Sequence, residues 1–108
     1  MTADIPPDVA IEPIFVVEAT YGPDAPELRP RYRLEHLTRI AELRDRGVLI
    51  EAGGYSDFST ALLLIRAGSE ADALAVARDD VYLRSGIWVE FRVRPFGRVV
   101  RLAELPGG

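Results

Sequence analysis

The strand-type and helix-type segments of this 108-residue chain follow one another in an order that few folds accept. Stretches rich in β-branched and aromatic residues, as strands are, occur at 13–21, 48–57, 59–67 and 87–95. Helix-type stretches occur at 31–46, after the proline-rich loop GPDAPELRP and before a capping Gly47, and from Ser69, the expected N-cap of the second helix, onward. The order β-α-β-β-α-β predicts an α+β, ferredoxin-like fold, in which one antiparallel sheet carries two helices on one face.

The polarity of the strands predicts their places in that sheet. The third strand contains ALLLI, which is apolar on both faces, as is usual for a central strand. The fourth strand alternates between an apolar face that includes Val89 and a more polar face that includes Trp88. We therefore expect the first and third strands at the centre and the second and fourth at the edges.

The predicted topology leaves one face of the sheet without helices. Right-handed crossovers place both helices on the same side, while the central strands carry Leu, Val or Ile on the other side as well. A bare apolar sheet of this size exceeds the patch that a monomer usually exposes. We therefore expect a homodimer in which two helix-free sheet faces pack together around a barrel-like interior.

Composition and charge exclude several classes of function. A net charge of −4 and a pI near 5.0 argue against nucleic acid as a partner. The absence of cysteine removes disulfides and thiolate sites, and one histidine is too few for the usual catalytic metal site. The sequence has no run of 18 apolar residues, so no membrane span is expected. Its N-terminal stretch does not have the pattern of a signal peptide. We expect a cytoplasmic protein with no metal, no cofactor and no membrane partner.

The only histidine, His36, falls on the stripe of the first helix that is expected to face the sheet. At about 100° per residue it shares that stripe with Tyr32, Ile40 and Leu43. One interpretation is a core histidine whose ring bonds a backbone carbonyl. The other is a general acid or base, because imidazole changes its charge near neutral pH.

A carboxylate that orients such a histidine is expected where the second helix ends. The stretch ARDDVYLRSG places Asp79 and Asp80 at that end, where the helix dipole disfavours negative charge. Asp80 either caps a short turn over residues 81–84 or points toward His36. The sequence leaves both interpretations open.

Two stretches together resemble a known family. YGPDAPELRPRYRLEHLTRIAELRDRGVLIEAGG and, later, DDVYLRSGIWVEFRVRPF are similar in order and spacing to the YCII-related (YciI-like) proteins of the dimeric α+β barrel superfamily. The resemblance covers residues 13–97 and leaves 1–12 as a flexible N-terminal tail and 98–108 as a C-terminal extension. It implies a dimer and an active site built on one histidine and one aspartate, which His36 and Asp80 match.

The resemblance also implies other site residues and two departures. Tyr82 matches the aromatic residue after the aspartate and is expected to line the same cleft. Val81 and Gly54 stand where relatives commonly have proline. The change at Val81 affects the orientation expected for Asp80, and the change at Gly54 affects the shape of the pocket beside Tyr55. Arg33, one turn before the histidine, is the nearest arginine for an acidic substrate, unless it is only a solvated helix charge.

The resemblance implies cofactor-independent chemistry on small, often ring-shaped organic molecules, of isomerase, lyase or dehydrohalogenase type. In that scheme His36 removes a proton next to a carbonyl or phenol, and Asp80 orients the ring and stabilises the imidazolium. Two alternatives stay open. One is a non-catalytic dimeric module that binds a small molecule or assists a neighbouring protein, and the other is a cofactor-free oxygenase on the same scaffold.

Overall fold

The computed structural model describes residues 4–106, which form one antiparallel sheet with the strand order β2-β3-β1-β4. The strands are β1 (Val9–Tyr21), β2 (Leu49–Gly54), β3 (Thr60–Ile65) and β4 (Trp88–Arg101). The helices are α1 (Ala25–Asp45), α2 (Glu70–Arg78) and the short α3 (Val81–Arg84), and a 3₁₀ turn follows at Leu102–Glu104. The first and third strands are central and the helices pack on one face, so the predicted ferredoxin-like fold is confirmed.

The core lies between the sheet and the helices. The central strands direct Val17, Ala19 and Leu63 into it, and each of these side chains is almost fully buried. On α2 the buried positions are Ala73 and Ala77, and their small side chains let this helix approach the sheet closely. Ser69 caps α2 as predicted, because its hydroxyl accepts the backbone N–H of Asp72.

The first helix begins at Ala25, six residues before the predicted start at Arg31. The prolines in GPDAPELRP had indicated a loop, but Pro26 lies in the first turn, where the missing N–H costs no hydrogen bond. Pro30 is accommodated inside the helix. At the other end Gly47 has φ of +76° and closes the helix, as predicted from its place in the sequence.

The first and last strands in the sequence are also longer than predicted. Residues 9–12, expected in the tail, pair with residues 98–101, expected in the C-terminal extension. Strand β4 continues from the predicted strand at 87–95 as far as Arg101. The physical reason is mutual pairing, because each segment supplies the hydrogen bonds that the other needs. Residues 1–3 and 107–108 lie outside the described range, and the three-part division of the chain stays a prediction.

Trp88 lies on the face opposite to the predicted one. The register between β1 and β4 shifts so that Thr20 faces Glu90 while Tyr21 faces Trp88, which leaves Val89 as an extra residue. Such a bulge reverses the alternation of side chains beyond it. Trp88 is consequently 2% exposed and Val89 53% exposed. The bulge therefore directs the indole into the helix side of the sheet.

Candidate functional site

His36 and Asp80 meet beneath α1. His36 faces the sheet from α1 and is 9% exposed, and Asp80 lies between α2 and α3 and is 0% exposed. The imidazole Nδ1 is 2.8 Å from Oδ1 of Asp80. The fold thus joins two side chains that are 44 positions apart in the sequence.

Asp80 accepts hydrogen bonds from three donors. Oδ1 also accepts the backbone N–H of Tyr82 at 2.9 Å, which caps α3, and Oδ2 accepts NH1 of Arg39 at 3.1 Å. Burial raises the pKa of Asp80, but the hydrogen bonds from His36, Tyr82 and Arg39 outweigh that effect, so the pKa lies below its ordinary value. An ionised carboxylate only accepts hydrogen bonds. Nδ1 of His36 must therefore be the donor in their shared bond.

Arg39 is a member of this site that the sequence did not indicate. Its spacing of four residues from Glu35 is that of an i,i+4 pair on the surface of a helix. Instead Arg39 donates to the Val76 carbonyl at 2.8 Å as well as to Asp80, and Glu35 pairs with Arg84 at 3.3 Å. One feature of the sequence could have indicated a cation here. Two acidic residues end α2, where the helix dipole disfavours negative charge, and a nearby arginine offsets that effect.

Two aromatic rings hold the imidazole in one plane. The ring of Tyr82 stacks on it with a centroid distance of 3.7 Å and an interplanar angle of 10°. Trp88 meets it edge-on at 5.3 Å. Burial raises the pKa of the Tyr82 phenol, and this effect exceeds the opposing influence of the Arg29 guanidinium. The phenol is therefore neutral at physiological pH.

The second nitrogen of His36, Nε2, has no hydrogen-bond partner among residues 4–106. The residue lines a cleft of about 110 Å³ that Tyr21, Arg29, Tyr82 and Trp88 also line. A hollow of about 330 Å³ adjoins it at the edge strand β2. The shared lining residues are Ala52, Gly53, Gly54 and Leu62. For scale, a cavity of about 150 Å³ takes up a benzene ring, so the cleft beside His36 is somewhat smaller than one such ring requires.

The other predicted site residues are distributed unequally. Tyr82 lies against His36 in the cleft. Tyr55 is exposed and lines the adjoining hollow instead, and Arg33 is exposed and does not line the cleft. Arg29 does line it, seven positions before His36 and hence on the same helix face. Arg29 is not recognisable from this spacing in the sequence, because GPDAPELRP predicts a loop over residues 22–30.

The two positions that depart from the family's prolines each have a local role. Val81 opens α3 and is buried, and Asp80 before it still reaches His36. At Gly54 an added Cβ would collide with the hydroxyl of Tyr21. The absence of a side chain at this position therefore makes room for Tyr21 at the cleft.

Residues 4–106 contain neither a cluster of metal-ligand side chains nor a helix suited to crossing a membrane. No group of three His, Cys, Asp or Glu side chains in this range converges as a metal site would. No helix in the same range is both long enough and apolar enough to cross a membrane.

Comparison with known proteins supports the fold. No family model matches the chain, and no curated protein matches it. Among solved structures, a similar one is 5-chloro-2-hydroxyhydroquinone dehydrochlorinase (TftG) from Burkholderia phenoliruptrix AC1100, in complex with 2,5-dihydroxybenzoquinone. The TM-score is 0.62 at 17% sequence identity, and the match covers 75% of this chain and 90% of that chain. The chain therefore has the fold of that enzyme, while membership of the YCII-related family stays a prediction.

Proposed function

We propose that this protein is a cofactor-independent enzyme that transfers a proton on a small organic molecule. The observation that carries the proposal is the hydrogen bond of 2.8 Å between His36 Nδ1 and the buried Asp80. That bond directs the proton of a neutral imidazole to Nδ1 and leaves a lone pair on Nε2. A histidine in a purely structural role does not need a buried, ionised carboxylate behind it.

In the proposed reaction, Nε2 of His36 takes a proton from a carbon or hydroxyl next to a carbonyl or phenol group. The imidazolium that forms is stabilised by Asp80, whose negative charge is held by Arg39 and the Tyr82 amide. The electron pair left on the substrate forms a new double bond. In the dehydrohalogenase case it expels halide, so the substrate loses a proton and a halide ion in total. In the isomerase case the imidazolium returns the proton at another atom.

The structural neighbour supports the dehydrohalogenase form of this proposal. The chain shares its fold with an enzyme named for the removal of chloride from a chlorinated hydroxyhydroquinone. A shared fold alone does not define a reaction, so the argument depends on His36 and Asp80. The aromatic and apolar lining of the cleft suits a ring-shaped substrate.

A direct test is proton exchange and chloride release with 5-chloro-2-hydroxyhydroquinone. The unmodified protein should speed the exchange of ring hydrogen for solvent deuterium, followed by NMR, and release chloride. His36→Asn should lower both rates by about 10²- to 10⁴-fold, the usual contribution of a general base. Glu35→Gln, an exposed neighbour on α1, is the matched control and should keep the wild-type rates. Rates equal to the uncatalysed ones, with the compound bound, would instead identify a non-catalytic binding module.

We also propose that the chain forms a homodimer through its helix-free sheet face. On that face Val16 lies opposite Leu64 and Glu18 lies opposite Leu62 on the central strands. These side chains are only half-buried, and Phe96 on β4 is exposed nearby. A second copy of the same face offers apolar area of matching extent, and the proposed pairing would remove it from water.

A further inference from the structure

Two buried N–H groups in the cleft have no acceptor. These are Nε of Arg29 and Nε1 of Trp88, for which no hydrogen-bond partner exists within residues 4–106. Most buried polar groups in proteins are paired, so two such donors on residues that line one cleft require an explanation. Both residues line the cleft that also contains His36. The explanation we favour is a ligand that supplies the acceptors.

The positive charge of Arg29 is also uncompensated. Within residues 4–106, no aspartate or glutamate lines the cleft, and Arg29 takes part in no ion pair. Asp80, the carboxylate behind His36, has its oxygens occupied by other donors, including Arg39. A cation in a largely apolar cleft without a counter-charge favours an anionic ligand.

The guanidinium of Arg29 is held in place by a ring and not by an acid. Its central carbon lies 5.0 Å from the ring centre of Phe58, which in turn meets Tyr21 edge-on at 5.6 Å. Phe58 has φ of +59°, a backbone conformation that non-glycine residues rarely adopt. The hairpin between β2 and β3 is therefore held in an unfavourable conformation at the residue that supports Arg29, while the charge stays available.

We propose that Arg29 determines the specificity of the cleft by binding the anionic oxygen of a small organic anion, with Trp88 Nε1 as a second donor. The ligand class is a carboxylate, phenolate or enolate on an unsaturated apolar body, because the rest of the lining is aromatic, aliphatic or glycine. The inference deepens the proposed function by naming its substrate class. The binding step itself does not require that turnover occurs.

The test is calorimetric binding of 2,5-dihydroxybenzoquinone, which is a vinylogous acid and hence an anion at neutral pH. Arg29→Gln should weaken its binding about 10- to 100-fold, the effect of losing a hydrogen bond between charged groups. Arg29→Lys should recover part of the affinity, because the charge returns without the planar fork. Arg31→Gln, the same charge change at an exposed position two residues further along α1, should leave the affinity unchanged.

A second readout separates charge recognition from a general loss of shape. The unmodified protein should prefer benzoate over benzamide, which have nearly the same outline, and Arg29→Gln should remove that preference. Equal binding of the quinone by Arg29→Gln and the unmodified protein would overturn the proposal. The proposal would also be overturned if no anion bound, or if Arg33→Gln and not Arg29→Gln lowered the affinity for the quinone. If anions bind through Arg29 but His36→Asn changes no rate, only the proposed function fails.

Discussion

Replacement of Asp80 by alanine should destabilise the protein more than any change at an exposed acid. The carboxylate is fully buried and accepts from His36, from the Tyr82 amide and from Arg39. Alanine fills less space and accepts nothing. Three donors would then lose their acceptor at the same time.

The magnitude follows from those contacts. A buried donor without a partner costs roughly 1–3 kcal/mol, and the lost N-cap of α3 costs about 1 kcal/mol. Arg39 keeps the Val76 carbonyl and some solvent contact, so its share is small. The effects overlap, and we expect a total of about 3–5 kcal/mol, as when one partner of a buried ion pair is removed. A domain of this size, with a stability of roughly 5–15 kcal/mol, would remain mostly folded.

Urea unfolding measures this loss, and Trp88, the only tryptophan, reports on the site itself. Asp79→Ala is the matched control. Its side chain is largely exposed and lies 3.9 Å from Arg39, so its removal should change the stability by less than about 1 kcal/mol. Equal midpoints for Asp80→Ala and Asp79→Ala would refute the reasoning, because the three hydrogen bonds would then contribute nothing.

The same experiment has a predictable dependence on pH. Because the pKa of Asp80 is lowered from 3.8 in the folded protein, its contribution is fully present above that value. The contribution is lost as the pH falls through the lower folded-state pKa. The difference in stability between the unmodified protein and Asp80→Ala should therefore shrink in strong acid. A difference that persists unchanged at pH values well below 3.8 would contradict the assignment to Asp80.

Two further substitutions test the shape of the cleft and the proposed dimer interface. Gly54→Ala should weaken binding of 2,5-dihydroxybenzoquinone in calorimetry, because the added methyl group collides with the Tyr21 hydroxyl. At Gly53 an added Cβ meets nothing within 4 Å, so Gly53→Ala is the control and should bind the compound with unchanged affinity. Leu64→Glu on the helix-free face should convert the proposed dimer into a monomer in analytical ultracentrifugation, while Leu34→Glu on the exposed side of α1 should not. A dimer that survives Leu64→Glu would exclude this face as the interface.

The parts of the fold that the sequence predicted well are those that depend on burial. Strand β3 lies at the centre of the sheet, and helices cover one of its faces. The stretch ALLLI is apolar on both faces, and this hydrophobicity indicated the central position. The position of His36 on the inner stripe of α1 was predictable for the same reason, since helical spacing alone defines it. For β3 and for the His36 stripe of α1, local periodicity therefore identifies the buried side.

The parts that were missed depend on pairing between distant segments. The bulge at Val89 exists only in relation to β1, so alternation along β4 alone placed Trp88 on the wrong face. Arg39 pairs with a residue 41 positions away and not with Glu35 four positions away. In both cases the local pattern was real, but a tertiary contact was stronger. The early start of α1 belongs to the same class, because packing outweighs the helix-breaking tendency of proline.

Asp80 shows why two interpretations that competed in the sequence both hold in the fold. A carboxylate has two oxygens and about four lone pairs, so capping a helix does not use up its capacity. The bond from the Tyr82 amide holds the side chain in one orientation, and in that orientation the same oxygen also accepts from His36. The cap is thus what aims the carboxylate at the imidazole. It follows that a substitution that breaks the cap, even one that keeps a negative charge such as Asp80→Glu, should also disturb the histidine.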